Sequence, residues 1–276
     1  MNQKLKGNGI LIFFLFCLTP ASGSIKIHVI DVGYGTAVHV ETPTQNFLFD
    51  AGPQEKSSKI LKSLANQKVV RLNAVFISHN YPDHIGSLEK ILSQIPVNYL
   101  FWPKNIPLTE DLNKLRLKRG DFPEIRYLEE GDKMIIERDL SISVLNSNLG
   151  KGDPNDNCLA FGLAIKKMKL LLAGDMGPLR QNEIIQIESA WLRDSKFLLW
   201  PHHGEKLETE FAKGIKNRPI CVVSVGENPY GLPSQTIKQD AESFCAALYR
   251  TDTMSDLDFI VDGSKISRDV GEHLKE

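Results

Sequence analysis

The chain has 276 residues, 42% of them apolar and 24% charged, with Lys+Arg 33 against Asp+Glu 34 and a formal net charge of −1. That length allows one large domain or two small ones, and the composition excludes fibrous, collagen-like and disordered readings. The near-neutral balance supplies no global basic field, so a polyanion would have to be drawn by a local patch or by a bound metal.

Residues 1–23 read as a secretory signal peptide. Lys4 and Lys6 precede an apolar run from Ile10 to Leu18, and small side chains follow at Ala21, Ser22 and Gly23. The run is about half the roughly 20 residues needed to cross a bilayer core, which argues against an uncleaved anchor. Cleavage removes two lysines and no acid, takes the formal charge from −1 to −3 and leaves Cys158, Cys221 and Cys245. Three cysteines allow at most one bridge. Residues 24–276 carry no repeat or linker and read as one domain.

Within that domain, strands are expected at Ile25-Ile30, Ala37-Glu41, Phe47-Phe49, Ala74-Ser78, Ile142-Leu145, Leu159-Ile165, Leu170-Ala173, Phe197-Trp200, Cys221-Val225 and Phe259-Asp262. Helices are expected at Ser58-Asn66, Ile85-Ile95, Leu179-Trp191, Glu208-Ile215 and Ser234-Tyr249. Strands alternating with helices indicate an α/β fold with mixed sheets.

Several of these strands run directly into loops of Asp, His and Gly: Asp31-Val32-Gly33, Asp50-Ala51-Gly52, His79-Asn80-Tyr81-Pro82-Asp83-His84, Gly174-Asp175 and Pro201-His202-His203-Gly204. Strand ends of this kind gather into one crevice in open α/β sheets. Four of the seven histidines lie in two of the loops. Imidazole and carboxylate together suit Zn²⁺ and similar divalent metals, and hydrolysis needs one coordination position left for water. His28 and His39 fall inside alternating strand patterns and read as satisfied sheet histidines, while His273 in the polar tail carries no signal.

At these residues the sequence resembles the metallo-β-lactamase superfamily, through Ser-His-x-x-x-Asp-His-x-Gly from Ser78, Leu-Leu-Ala-Gly-Asp ending at Asp175, and Trp-Pro-His-His-Gly from Trp200. Within that superfamily it is similar to the soluble hydrolase domain of ComEC-type DNA-internalisation competence proteins. The segments His28-Val29-Ile30-Asp31-Val32-Gly33-Tyr34-Gly35, Asn155-Asp156-Asn157-Cys158-Leu159, Ser224-Val225-Gly226-Glu227-Asn228-Pro229-Tyr230-Gly231 and Leu248-Tyr249-Arg250-Thr251-Asp252 carry this narrower likeness.

The resemblance implies an αβ/βα sandwich of two mixed sheets with outer helices. It also implies metal ligands at His79, Asp83, His84, Asp175 and His203, with Asp175 bridging, His202 as a second-sphere or catalytic group, and Asp50 orienting the metal loop. Asp83, His84, Asp175 and His203 complete one position for Zn²⁺ or Mn²⁺. His79 remains at a weaker second position, where Tyr81, a phenol, replaces a ligand. Tyr34, Thr36, Cys158, Glu205 and Leu232 are further departures. Cys158 is either a thiolate ligand or inert packing, and Glu205 either a ligand or a solvated acid; residue type favours the second reading for each.

The implied function is hydrolysis of a phosphoester, in DNA or a nucleotide, by metal-activated water, with His202, Asp175 and Asp83 as catalytic residues. The alternatives are a degenerate member that binds metal and nucleic acid or an envelope ligand without turnover, and an enzyme acting on an envelope ester or a β-lactam.

Overall fold

Short apolar runs closed by Gly, Pro or Asp form the strands, and the amphipathic runs between them form helices that cover the sheets. The computed structural model describes residues 11–13, 23–137, 139–146 and 154–270. Apart from Leu11–Phe13 and Gly23, the expected leader lies outside the described residues, as does the tail with His273.

The strands are β1 (Leu11–Phe13), β2 (Ile25–Val29), β3 (Val38–Glu41), β4 (Asn46–Phe49), β5 (Leu72–Phe76), β6 (Val97–Pro103), β7 (Glu124–Leu128), β8 (Lys133–Glu137), β9 (Leu140–Val144), β10 (Phe161–Ile165), β11 (Met168–Leu172), β12 (Ser195–Leu199), β13 (Ile220–Val223), β14 (Ala247–Arg250), β15 (Leu257–Asp262) and β16 (Lys265–Asp269). The helices used below are α1 (Ser57–Asn66), α2 (Pro82–Ile85), α3 (Leu88–Gln94), α4 (Glu110–Lys118), α5 (Pro178–Ile187), α6 (Ser189–Asp194), α7 (Thr209–Gly214) and α8 (Ile237–Phe244).

One sheet runs β16-β15-β2-β3-β4-β5-β6-β7 and the other β1-β8-β9-β10-β11-β12-β13-β14. In each, an antiparallel half, β16-β15-β2-β3-β4 and β8-β9-β10-β11, adjoins a parallel half, β4 to β7 and β11 to β14, and β1 joins β8 in parallel, so both sheets are mixed. The parallel halves deliver the C-terminal ends of β4, β5, β11, β12 and β13 as the platform for the site loops.

Alternation along the strands sorts the core into layers. Val38, Phe47, Phe49, Phe76 and Phe101 meet Ile142, Phe161, Leu170, Phe197 and Val222 between the sheets. Outside them, Leu48, Val75 and Leu100 pack on Ile60, Leu64 and Ile91 of α1 and α3. On the opposite face Leu171, Leu198 and Cys221 pack on Ile184, Phe211, Ile237 and Phe244. The aromatic rings of Phe49, Phe76 and Phe101 stack at 4.8 and 4.5 Å, with Phe161 edge-on at 5.5 Å to Phe49. Phe49 immediately precedes Asp50, and Phe76 lies two residues before Ser78, so this dry stack fixes the base of two site loops.

The expected helix Ile85-Ile95 is broken into α2 and α3. At the break a Cβ on Gly86 would lie 2.4 Å from the Gln54 backbone nitrogen, and the Ser87 amide donates to Gly52 O. The chain is thereby tied to the loop after β4 instead of continuing its helix. Leu179-Trp191 likewise divides into α5 and α6 at Glu188. The expected helix Ser234-Tyr249 shortens to α8, because the Cys245 disulfide and an Ala246 amide bond to Pro219 O divert the following residues into β14. Strands β6, β7 and β8 and helix α4 are additional to the expected elements.

Cys221 of β13 is bridged to Cys245 at the end of α8, with a sequence separation of 24, and Cys158 is free and buried. Closing a loop of that size removes denatured-state entropy worth about 3 kcal/mol. The Cys221→Ser, Cys245→Ser double variant should lose that much unfolding free energy in a urea titration.

Both sheet histidines are satisfied. His28 bonds Asp258 and Ser63, each at 2.6 Å, and His39 bonds Asn46 at 2.9 Å. Burial pushes the His39 pKa down to about 4, so the unfolded chain takes up its proton first as pH falls. Its stability contribution is intact above about pH 6.5 and lost on acidification toward 4, a window worth up to about 3 kcal/mol. His39→Gln should flatten that part of the stability–pH profile relative to wild type in urea melts at pH 7 and 4.5.

Candidate metal centre

The loop after β5 enters α2 with Pro82 at the first helical position, where a missing N–H costs nothing. That single turn aims Asp83 and His84 at the crevice. The loop after β11 turns at Gly174, whose φ of 56 favours glycine and whose added Cβ would lie 2.3 Å from Cys158 Sγ. Asp175 follows, its amide donating to Cys158 Sγ at 3.0 Å. After β12, His202 and His203 both adopt left-handed backbone, φ 47 and 51, which is uncommon for residues with a side chain. The His202 amide bond to Gly174 O and the His203 Nδ1 bond to Ser224 O, at 3.1 and 2.9 Å, hold them there.

Four expected ligands come together: Asp83, His84, Asp175 and His203 offer atoms that all lie within 4.8 Å of one another, a cluster that can hold a metal ion. Asp175 Oδ2 is the hub, 3.2 Å from His84 Nε2, 3.4 Å from His203 Nε2 and 3.9 Å from His79 Nε2. Asp83 Oδ2 is 3.1 Å from His203 Nε2. His79 stands at the margin of the cluster, with Tyr81 edge-on to its ring at 5.0 Å.

A proton chain beneath the cluster sets the histidine tautomers. Asp50 accepts from the Ser78 amide at 2.8 Å, from Ser78 Oγ–H at 2.7 Å and from His84 Nδ1–H at 2.7 Å. Since the hydroxyl hydrogen of Ser78 is committed to Asp50, its oxygen accepts from His79 Nδ1–H at 2.9 Å. Both rings therefore turn Nε2 toward the crevice, where, against burial, Asp175 and Asp50 push the His84 pKa well up and a cation would compete with that proton for the nitrogen. Those two nitrogens are buried without a hydrogen-bond partner, a costly state unless another group engages them. The donor set, imidazole Nε2 plus carboxylate, fits a divalent cation.

Electrostatics agree. Burial opposes charge on Asp175, yet His84 and His203 hold its carboxyl well below the usual range. Burial would lower the His203 pKa, but Asp175 and Asp83 push it up to about 9. His79, buried beside His84, is pushed down to about 4. The carboxylates draw positive charge into the site, which is the requirement for binding a cation.

His202 stands aside from the cluster. Its Nδ1 donates to Glu205 Oε2 at 2.7 Å, and its Nε2 lies 3.4 Å from Asn155 Nδ2. Glu205 is thus the partner of His202, a role the sequence did not reveal. Cys158 sits under the Asp175 loop as a hydrogen-bond acceptor, and burial pushes its thiol pKa well up. Ser78 and Ser224, which set ring orientations, were also missed; their position beside a ligand or at a strand end was the available signal.

The sheets, their outer helices and a His/Asp cluster at the strand ends define the class: a two-sheet αβ/βα sandwich with a cluster that could hold a metal. The chain belongs to the metallo-beta-lactamase superfamily, whose model matches residues 30–212. It is 25% identical over 277 residues to ComE operon protein 3 of Bacillus subtilis (strain 168), covering 91% of this chain and 35% of that protein. The chain therefore spans about a third of that relative. Among solved structures, the metallo-beta-lactamase fold protein YhfI from Bacillus subtilis aligns with TM-score 0.57 and 12% identity, over 86% of this chain and all of that one. A diphosphatase from the PhnP family aligns with TM-score 0.54 and 12% identity, over 89% of this chain and 100% of that one. At these identities the structural likeness speaks for the fold alone.

Proposed function

We propose that the chain is an exported metal-dependent phosphodiesterase or nuclease acting on DNA or nucleotides. The observation that carries this reading is the convergence of three histidine Nε2 atoms on Asp175, two of them buried without a hydrogen-bond partner. Asp83, His84, Asp175 and His203 would hold Zn²⁺ or Mn²⁺, with His79 left for a weaker second ion. When bound, the ion supplies an acidified water and positive charge opposite the phosphoryl oxygens. His202, held through Nδ1 by Glu205, has its pKa raised despite partial burial and suits proton donation from Nε2 to the leaving oxygen. The similarity to ComE operon protein 3, together with the motif resemblance to DNA-internalisation proteins, supports a phosphoester substrate over a β-lactam.

The test loads purified, chelator-stripped protein with Zn²⁺ or Mn²⁺ and assays single-stranded DNA, a bis-phosphodiester reporter, a phosphocholine ester and a β-lactam. Cleavage of the first two, absent in stripped protein, is expected. Metal uptake without turnover of any of them would instead support the second reading, a binding protein, which the phenol of Tyr81 beside His79 favours.

Export rests on the Lys4, Lys6 and apolar-run pattern and on the Cys221–Cys245 bridge, since disulfides persist in oxidising compartments. No described helix is long and apolar enough to cross a membrane. Amino-terminal sequencing of protein from expressing cells should start close to Ser24; a retained Met1 would refute cleavage.

A further inference from the structure

Beside His203 a pair of tyrosines leads from the metal cluster to the surface. The Tyr34 ring centroid is 4.4 Å from that of His203, and the Tyr230 ring lies 5.3 Å from Tyr34 at an interplanar angle of 36°. Tyr34 is half-buried, whereas Tyr230 is 69% exposed.

The Tyr230 loop is braced from within. The Asn228 side chain donates to Gly226 O and Leu232 O, both at 2.7 Å, and accepts from the Tyr230 and Leu232 amides at 3.0 and 3.1 Å. Its amide group thereby has both hydrogens and its oxygen engaged across the loop that carries Tyr230. The loop is also seated on the Tyr34 segment: a Cβ on Gly226 would lie 2.5 Å from Gly33 Cα and 3.1 Å from the Tyr34 nitrogen. Ser224 joins the same assembly, donating through Oγ to Gly35 O while its carbonyl accepts from His203. The backbone that carries Tyr230 is therefore held relative to both Tyr34 and the metal cluster.

We propose that Tyr34 and Tyr230 form a stacking platform for a nucleobase next to the scissile phosphodiester, so that the site prefers base-bearing strands to bare phosphodiesters. This rests on the phosphodiesterase reading and names its substrate class. Base–aromatic stacking tolerates every base, because each has a π-face. In a chain of net charge −1 the stacking supplies base affinity while a cation held by the cluster would supply the attraction for phosphate. Tyr34 adds a second ring behind the first, and the cluster two rings away is where the phosphate would be held.

The experiment measures fluorescence anisotropy of the full, Zn²⁺-loaded chain with a labelled phosphorothioate oligothymidylate, which resists cleavage, and with an abasic oligomer of the same length and linkage. Wild type should bind the base-bearing strand roughly tenfold more tightly. Tyr230→Ala should bring the affinity ratio to about one, and Tyr230→Phe should restore it. Equal wild-type affinities, or a ratio unchanged in Tyr230→Ala, would overturn the platform. Rates with metal-loaded wild type on the unmodified strands separate the two readings. Base discrimination without cleavage of either strand keeps the platform and ends the hydrolase reading, whereas cleavage of both without discrimination does the opposite.

Discussion

Asp175→Ala is expected to lower phosphodiester turnover by about a thousandfold and to leave purified protein without its ion. Asp175 Oδ2 is within 3.2 to 3.9 Å of the Nε2 atoms of His79, His84 and His203. Removing it takes away the carboxylate common to both expected metal positions and leaves three imidazoles facing one another. A bound ion contributes several kcal/mol of charge stabilisation, and about 4 kcal/mol corresponds to a thousandfold in rate. Elemental analysis and turnover should fall together. Metal-loaded wild type no faster than this variant would end the hydrolase reading, and a variant that keeps its ion but loses turnover would assign Asp175 to substrate chemistry rather than metal binding. The substitution leaves the Gly174 turn and the Asp175 amide bond to Cys158 in place, so circular dichroism should match wild type.

The loops that carry the His/Asp cluster were legible in sequence because their chemistry is local: polar clusters rich in Asp, His and Gly terminate apolar strand runs, and few other features of a globular chain look like that. What surrounds the cluster was not. Ser78 and Asp50 lie 28 residues apart and share two hydrogen bonds, and their bonds onward to His79 and His84 Nδ1 set the tautomers of two histidines. Spacing encodes nothing of this. Glu205 could be seen as a departure in the loop, but its bond to His202 appears only with the left-handed backbone at His202 and His203.

The missed elements have similar causes. Strand β6 is buried along most of its length and lacks alternation, while β7 is an edge strand whose Glu124, Arg126 and Tyr127 face solvent. Each loses the period-two signature for a different reason. Ala247–Arg250 follows an amphipathic helix with helix-compatible residues, and the tertiary ties of Cys245 to Cys221 and of the Ala246 amide to Pro219 O turn it into a strand.

Asp50→Ala should reduce metal affinity by about 10- to 100-fold, the usual cost of losing an outer carboxylate that orients ligands. Asp50 touches no atom of the four-residue cluster except through His84 Nδ1, yet it also anchors Ser78 and, through Ser78, His79. Alanine leaves the buried Ser78 amide and His84 Nδ1–H unpartnered, at about 1–3 kcal/mol for each group stranded. Metal-free protein should therefore also melt earlier. Asp50→Asn separates orientation from packing, since its volume is nearly that of aspartate. Its one oxygen can serve either the Ser78 amide or His84, and its NH₂ then faces the other donor. If the NH₂ meets His84, Nδ1 must accept, the proton moves to Nε2 and that nitrogen can no longer bind a metal. Isothermal titration with Zn²⁺ should show Asp50→Asn weakened nearly as much as Asp50→Ala, with a smaller loss of thermal stability. An asparagine variant with wild-type affinity would show that the carboxylate does not set the His84 tautomer, and that the free Nε2 atoms arise from packing alone.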